Sequence, residues 1–270
     1  MHEISAQINK YFMAKEKYFL AFLLVILFAV NYPFLDGITK NFLDDREFVF
    51  VSRVVDGDTI IGNNESIRLL GINTPERKEK YYQEAKDFLS GKILNKTVNL
   101  EFGKDRKDLY GRTLAYVFLR NENINLELVK NGFANFYFPS GKDKHYNDFK
   151  EAWNECVAKQ TNLCEKSKDV CSSCVELKEF DYKNEIVVFQ NKCSFQCDLT
   201  NWEIKDEGRK KFVFPRFILN GNKEITIRIG EGKNNGNELF WKGETYVWTR
   251  TGDSLFLRDS EGKLVLWEGY

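Results

Sequence analysis

The chain has 270 residues, of which 43% are hydrophobic and 15% aromatic, enough apolar surface for two packed domains and too much for a disordered chain. Forty Lys and Arg balance forty Asp and Glu, so a global basic field for nucleic acid is excluded and any attraction for phosphate must be local. Arg77-Lys78-Glu79-Lys80, Lys104-Asp105-Arg106-Lys107 and Lys142-Asp143-Lys144 are such local clusters, each also readable as a solvated loop.

Residues 1–17 form a polar leader. Residues 18–35 carry no charge and are apolar all round from Phe19 to Val30, at the short end of the roughly 17 to 25 residues that span a bilayer as a helix. The segment reads as a single transmembrane anchor. Cleavage as a secretion signal is the alternative, although the leader is long and no small-x-small site follows. Lys10, Lys15 and Lys17 precede the segment and Asp36, Asp44 and Asp45 follow it, which places the amino terminus in the cytoplasm and the remainder outside. Residues 36–46, with Gly37, read as a tether.

Residues 47–168 have the pattern of a small barrel with three helices. Strands are expected at 47–55, 59–61, 66–70, 97–102 and 113–119, with Gly62-Asn63-Asn64 turning a hairpin between the second and third. Apolar stripes at helical spacing run through Tyr82, Ala85, Phe88 and Leu89, then Leu126, Val129 and Phe133, then Tyr146, Phe149, Trp153 and Val157. Tyr110, Tyr137 and Phe138 read as core, with base stacking at a barrel mouth as the alternative. His145 has no second ligand at metal spacing and reads as a surface residue.

The chemistry concentrates between Arg53 and Glu76, together with Arg112. Asp56-Gly57-Asp58-Thr59 precedes one short strand, Arg68 lies in the next, and Asn73-Thr74-Pro75-Glu76 follows it. Carboxylates and arginines gathered at strand ends cost energy unless a cation or phosphate joins them. Asp58, the side-chain oxygen of Asn73 and a backbone carbonyl near Thr74 are hard oxygen donors of the kind Ca²⁺ takes, with Asp56 supporting them. Arg68 and Arg112 are placed to hold phosphate oxygens, and Glu76 to take a proton from water.

Val54-Val55-Asp56-Gly57-Asp58-Thr59, Arg68-Leu69-Leu70-Gly71-Ile72-Asn73-Thr74-Pro75-Glu76 and Asp108-Leu109-Tyr110-Gly111-Arg112-Thr113 stand in the order of the staphylococcal nuclease family, and the region resembles it. The resemblance implies an α+β, OB-type five-stranded barrel with three helices, Ca²⁺-dependent hydrolysis of DNA or RNA, and catalytic Arg68, Glu76 and Arg112. It also exposes a departure: Asn73 stands where the family usually has an aspartate ligand. One formal charge fewer implies weaker cation binding.

All six cysteines, Cys156, Cys164, Cys171, Cys174, Cys193 and Cys197, lie in the second half. In a chain facing outward they read as disulfides, of which six cysteines allow 15 connectivities. Cys171, Cys174, Cys193 and Cys197 also have tolerable spacing for structural Zn²⁺.

Residues 169–270 change to short β-rich runs, about seven strands at 175–180, 186–190, 202–205, 212–214, 225–229, 254–257 and 264–267. Asn191, Cys197-Asp198-Leu199-Thr200-Asn201-Trp202, Trp248 and Gly252-Asp253-Ser254-Leu255-Phe256 carry a resemblance to the lamin-tail domain family. It implies an all-β immunoglobulin-like sandwich that docks an unknown partner and does no chemistry. Two readings of the whole follow: a membrane-anchored, extracytoplasmic nuclease, or a nuclease-like barrel that has lost turnover and binds nucleic acid or protein.

Overall fold

The computed structural model describes Phe22, Leu23, Val25, Ile26, Leu27 and residues 47–270. The five residues of the apolar segment are helical and exposed, and among the described residues no helix is long and apolar enough to cross a membrane. The rest of the expected anchor, with its leader and tether, lies outside the described residues.

Alternating Val residues make β1 (Glu47–Val54) a strand that buries Val49, Val51 and Val54. A bulge between Val51 and Arg53 bends it, so that it pairs with both β2 (Thr59–Gly62) and β5 (Thr97–Lys107). Asn63 and Asn64, both at positive φ, form the two-residue turn into β3 (Glu65–Leu69). β6 (Thr113–Leu119) pairs antiparallel with β5 and closes on β3 through a parallel ladder, with Arg68 opposite Leu114. Five strands thus close a barrel without a free edge, as the sequence leads one to expect.

Two short strands escape the periodicity. β4 (Ile72–Asn73) pairs across the barrel mouth with a later strand at Asn135–Phe136, Asn73 standing opposite Asn135. Three helices cover the barrel: α1 (Tyr82–Ile93) buries Ala85, Leu89 and Ile93, α2 (Ile124–Lys130) buries Leu128 and Val129, and α3 (Tyr146–Lys159) buries Phe149 and Trp153. A further two-residue strand, β7 (Glu122–Asn123), leads into α2, whose first turn Asn123 caps by accepting from the Leu126 amide. The strand at Asn135–Phe136 is β8. Phe133 lies beyond α2 and packs on Phe88 at 4.9 Å, so it does not continue the helical stripe. His145 is not a surface residue: its imidazole packs edge-on at 4.4 Å from Tyr116, with Nε2 2.6 Å from Glu101 Oε1. Its charged sequence neighbours concealed that position.

The second half is a sandwich. One sheet takes β9 (Val175–Asp181), β10 (Ile186–Asn191), β15 (Glu224–Ile229) and β16 (Glu238–Trp241); the other takes β12 (Glu203–Lys205), β13 (Lys211–Val213), β17 (Ser254–Arg258) and β18 (Leu264–Gly269). β11 (Cys197–Asp198) and β14 (Ile218–Leu219) pair beside them. Phe189, Trp202, Phe214, Ile227 and Leu255 fill the space between the sheets. The seven expected strands are present, and β11, β14 and β16 are additional.

The cysteines pair as Cys156 with Cys164, Cys171 with Cys197 and Cys174 with Cys193, and none is free. The zinc alternative is thereby overturned, because the metal needs thiolates and every sulfur is spent in a disulfide.

Barrel and sandwich share core. Phe256 of β17 and Trp267 of β18 meet Trp153 of α3 at 5.2 and 6.3 Å and Phe136 of β8 at 6.4 and 6.1 Å. Arg258, buried, donates to the Leu163 carbonyl at 2.6 Å. These contacts fix the β12–β13 hairpin against the barrel mouth.

Candidate active site

Asp56-Gly57-Asp58 turns the chain from β1 into β2, with the Asp58 amide donating to Asp56 Oδ1 at 3.1 Å. Gly57 is dictated by close approach: a Cβ there would stand 2.9 Å from both Ala85 Cβ and Thr74 Cβ. That approach presses the turn against α1 and the segment after β4, and Asp58 anchors it. Asp58 Oδ1 accepts from the Thr59 hydroxyl at 3.0 Å, while Oδ2 accepts from the Thr74 amide and hydroxyl at 3.2 and 3.1 Å.

Arg68 projects from β3 into the same space and is 7% exposed. Its Nη2 lies 2.9 Å from Asp58 Oδ2. It also donates to the carbonyls of Leu69 and Ile72 at 2.7 and 2.9 Å, and to Asn73 Oδ1 at 3.4 Å. Burial pushes the guanidinium's pKa down, Asp58 opposes that, and the positive charges of Arg112 and Arg209 add to the fall. An arginine remains charged under such pressure, so the site holds a desolvated cation, which stabilises added negative charge more strongly than a solvated one.

Arg112 follows the turn Asp108-Leu109-Tyr110-Gly111, whose tightness comes from Asp108 accepting from the amides of Tyr110 and Arg112, each at 2.9 Å. Its Nε donates to Asp108 Oδ2 at 2.6 Å, and the guanidinium lies 5.5 Å from the centre of the Tyr110 ring. Tyr110 is 83% exposed, so the core reading for it is wrong: it stands at the tip of a tight turn that projects from the barrel. Phe138 is buried as expected, and Tyr137 is half-buried with its amide on the Gly71 carbonyl.

Glu76 emerges beyond Thr74-Pro75, its amide on Glu79 Oε2 at 2.9 Å. Its carboxylate Oε1 meets Arg209 Nε at 2.8 Å, an exposed ion pair from the turn joining β12 to β13. Asn73 meets the same turn, since its Nδ2 donates to the Gly208 carbonyl at 2.6 Å. Asn135 Nδ2 donates to the Glu207 carbonyl at 2.8 Å, and the Phe138 amide to Glu207 Oε2 at 3.2 Å. Glu79 is held by Lys205 and Lys211 at 3.6 and 3.4 Å. Sequence reasoning missed this second wall altogether. Its only local signal is the basic run Arg209-Lys210-Lys211 at a hairpin tip.

Among the described residues no three of His, Cys, Asp and Glu converge as a metal cluster. Asp58 Oδ2 and Asn73 Oδ1 both face Arg68 Nη2, at 2.9 and 3.4 Å, and Asp56 lies beside Asp58, so hard oxygens of the kind Ca²⁺ takes lie close together. Burial first, and then the Asp58 charge, raise the pKa of Asp56. A dication would relieve that repulsion, so the residues fit one.

Comparison with known proteins agrees with this geometry. Residues 66–166 match the family model described as staphylococcal nuclease homologue, and residues 171–270 match lamin tail domain. The chain is 39% identical over 138 residues to a thermonuclease of Staphylococcus intermedius, covering 47% of this chain and 82% of that protein. It is 44% identical over 104 residues to a thermonuclease of Staphylococcus hyicus, covering 34% of this chain and 62% of that protein. An uncharacterized endonuclease of Haemophilus influenzae is 39% identical over 101 residues, covering 36% of this chain and 56% of its own length. With the barrel, the clustered carboxylates and arginines, and these matches together, the chain belongs to the staphylococcal nuclease family and carries a lamin tail domain behind its nuclease domain.

Proposed function

We propose that the protein hydrolyses phosphodiester bonds of DNA or RNA at Arg68 of β3, Asn73 of β4 and the Arg112 turn. The carrying observation is Arg68, a buried guanidinium bound to Asp58 at 2.9 Å and within 3.4 Å of Asn73, with Glu76 on the turn just beyond. Arg68 and Arg112 hold the phosphate oxygens and stabilise the charge that grows on them during attack. Glu76 orients the attacking water and takes its proton. Asp58, Asn73 and the Thr74 carbonyl, with Asp56 behind them, would hold a Ca²⁺, which when bound polarises the phosphoryl group.

The second reading, a barrel that binds without turnover, draws support from Glu76 and Asn73 both having partners in the tail domain. The Glu76 pair is exposed, however, and such pairs contribute only about 0 to 1 kcal/mol, too little to hold the base from a substrate. Hydrolysis of single-stranded DNA with and without added Ca²⁺ separates the readings. Glu76→Gln is expected to lower turnover about a hundredfold or more, with circular dichroism unchanged. Equal turnover in the two folded proteins refutes the mechanism.

The same reading places the protein at a membrane with both domains outside the cytoplasm. The uncharged run at 18–35 supports an anchor, and three disulfides support an oxidising compartment.

A further inference from the structure

The tail domain meets the nuclease domain at the residues to which the chemistry is assigned. Around the barrel mouth the contacts run in a continuous chain: Arg68 to Asn73, Asn73 to the Gly208 carbonyl, Arg209 to Glu76. Asn73 makes the join because an amide has both a donor and an acceptor. Its nitrogen can face only an acceptor such as the Gly208 carbonyl, and its oxygen then faces Arg68. An aspartate there would set a carboxylate oxygen against that carbonyl. The asparagine that departs from the family pattern is thus one of the residues that receive the tail domain.

The turn itself is firmly seated. Glu207 is 5% exposed, with Oε1 accepting from the Ser254 hydroxyl at 2.7 Å and Oε2 from the Phe138 amide. Asp206 Oδ1 accepts from the Lys210 amide at 2.9 Å and closes the turn. Arg209, at its tip, is by contrast held through one atom. Its side chain is 61% exposed and has no partner but Glu76 among the described residues, and that contact engages only Nε.

We propose that the 206–210 turn is part of the nuclease's substrate site, with Arg209 as a third phosphate-binding arginine supplied by the tail domain for the nucleic-acid strand. The inference rests on the nuclease reading. In the free protein Arg209 lies on Glu76, and a phosphate of the incoming strand takes it over. Magnitude decides against a lock. An exposed ion pair would restrain Glu76 by no more than about fivefold, whereas a guanidinium with two terminal nitrogens open suits a bidentate phosphate contact. Release of Glu76 then accompanies substrate binding, so the base becomes available when the strand is in place.

The test uses the full chain. In steady-state cleavage of a single-stranded oligonucleotide, Arg209→Ala is expected to raise KM about tenfold or more with kcat changed less than about threefold, and Arg209→Lys to recover part of the loss. Affinity for the same fluorescently labelled oligonucleotide, measured in the Glu76→Gln background so that nothing is cut, should fall on adding Arg209→Ala, and its logarithmic salt slope should shrink by about one phosphate contact. Faster cleavage by Arg209→Ala overturns the proposal in favour of an inhibitory pair, and an unchanged KM and salt slope overturn it outright. If the wild type fails to cut but its Arg209-dependent binding stands, the nuclease reading falls and the strand contact survives. If the Glu76→Gln protein does not bind the oligonucleotide, the contact itself is refuted.

Discussion

At the scale of single residues, the proposed function gives Asn73 two duties that pull in opposite directions. As the proposed cation ligand it would be poorer than an aspartate, since it lacks a formal charge. As a donor to the Gly208 carbonyl at 2.6 Å it does what an aspartate cannot. Asn73→Asp is therefore expected to lower the Ca²⁺ concentration for half-maximal hydrolysis while costing about 1 to 3 kcal/mol of stability, the penalty for leaving the buried carbonyl unpaired. A Ca²⁺ titration of activity and a thermal melt without Ca²⁺ check the two halves separately. Superimposed activity curves would show that Asn73 does not touch the cation, and an unchanged Tm would show that its contact with the tail domain contributes nothing.

At the scale of elements, the β12–β13 turn buries acidic groups beneath the barrel mouth. The Asp206 carboxyl is pushed up to about 7 and that of Glu207 to about 8, first by burial, with the charge of Asp253 adding to both. In an unfolded chain such groups titrate near 4. Between about pH 4 and pH 8 the folded protein therefore binds protons that the unfolded chain has released, so stability is fullest at the acid end of that window and falls as pH rises through the folded values. Thermal unfolding of the full chain should show Tm dropping from about pH 5 to about pH 8. Glu207→Gln keeps an acceptor for the Phe138 amide and removes the charge, so it should flatten the drop. A wild-type Tm that is level across the window would contradict the buried-acid account.

At the scale of the whole molecule, the shared core makes the tail domain a structural partner of the nuclease domain. Phe256 and Trp267 pack against Trp153 and Phe136, and Arg258 reaches the Leu163 carbonyl. An anchored protein with both domains outside is expected to lose both to protease added to intact cells, while full protection until the cells are opened would refute the outward placement. Reductant should lower Tm as well, since each disulfide restricts the unfolded chain, typically by about 2 to 4 kcal/mol.

The sequence by itself determined what depends on local order. Alternation specified β1, the runs at 97–102 and 113–119 marked β5 and β6, although β5 continues to Lys107, the Asn63-Asn64 turn specified the β2–β3 hairpin, and helical spacing specified α1 and α3, because each signal lies within one element. The candidate site was legible for the same reason. Asp56, Asp58, Arg68 and Asn73 lie within one short stretch whose turns bring them together, and Glu76 follows three residues on. Tertiary structure decided what depends on distant pairing. The choice among cysteine partners, the burial of His145 against Tyr116 and Glu101, and the β4–β8 ladder each need residues far apart in the chain. Most of all it decided the second wall of the site. Gly208 and Arg209 lie some 135 positions from Asn73 and Glu76, and only the packing of β17 and β18 onto α3 and β8 brings that turn to the barrel mouth.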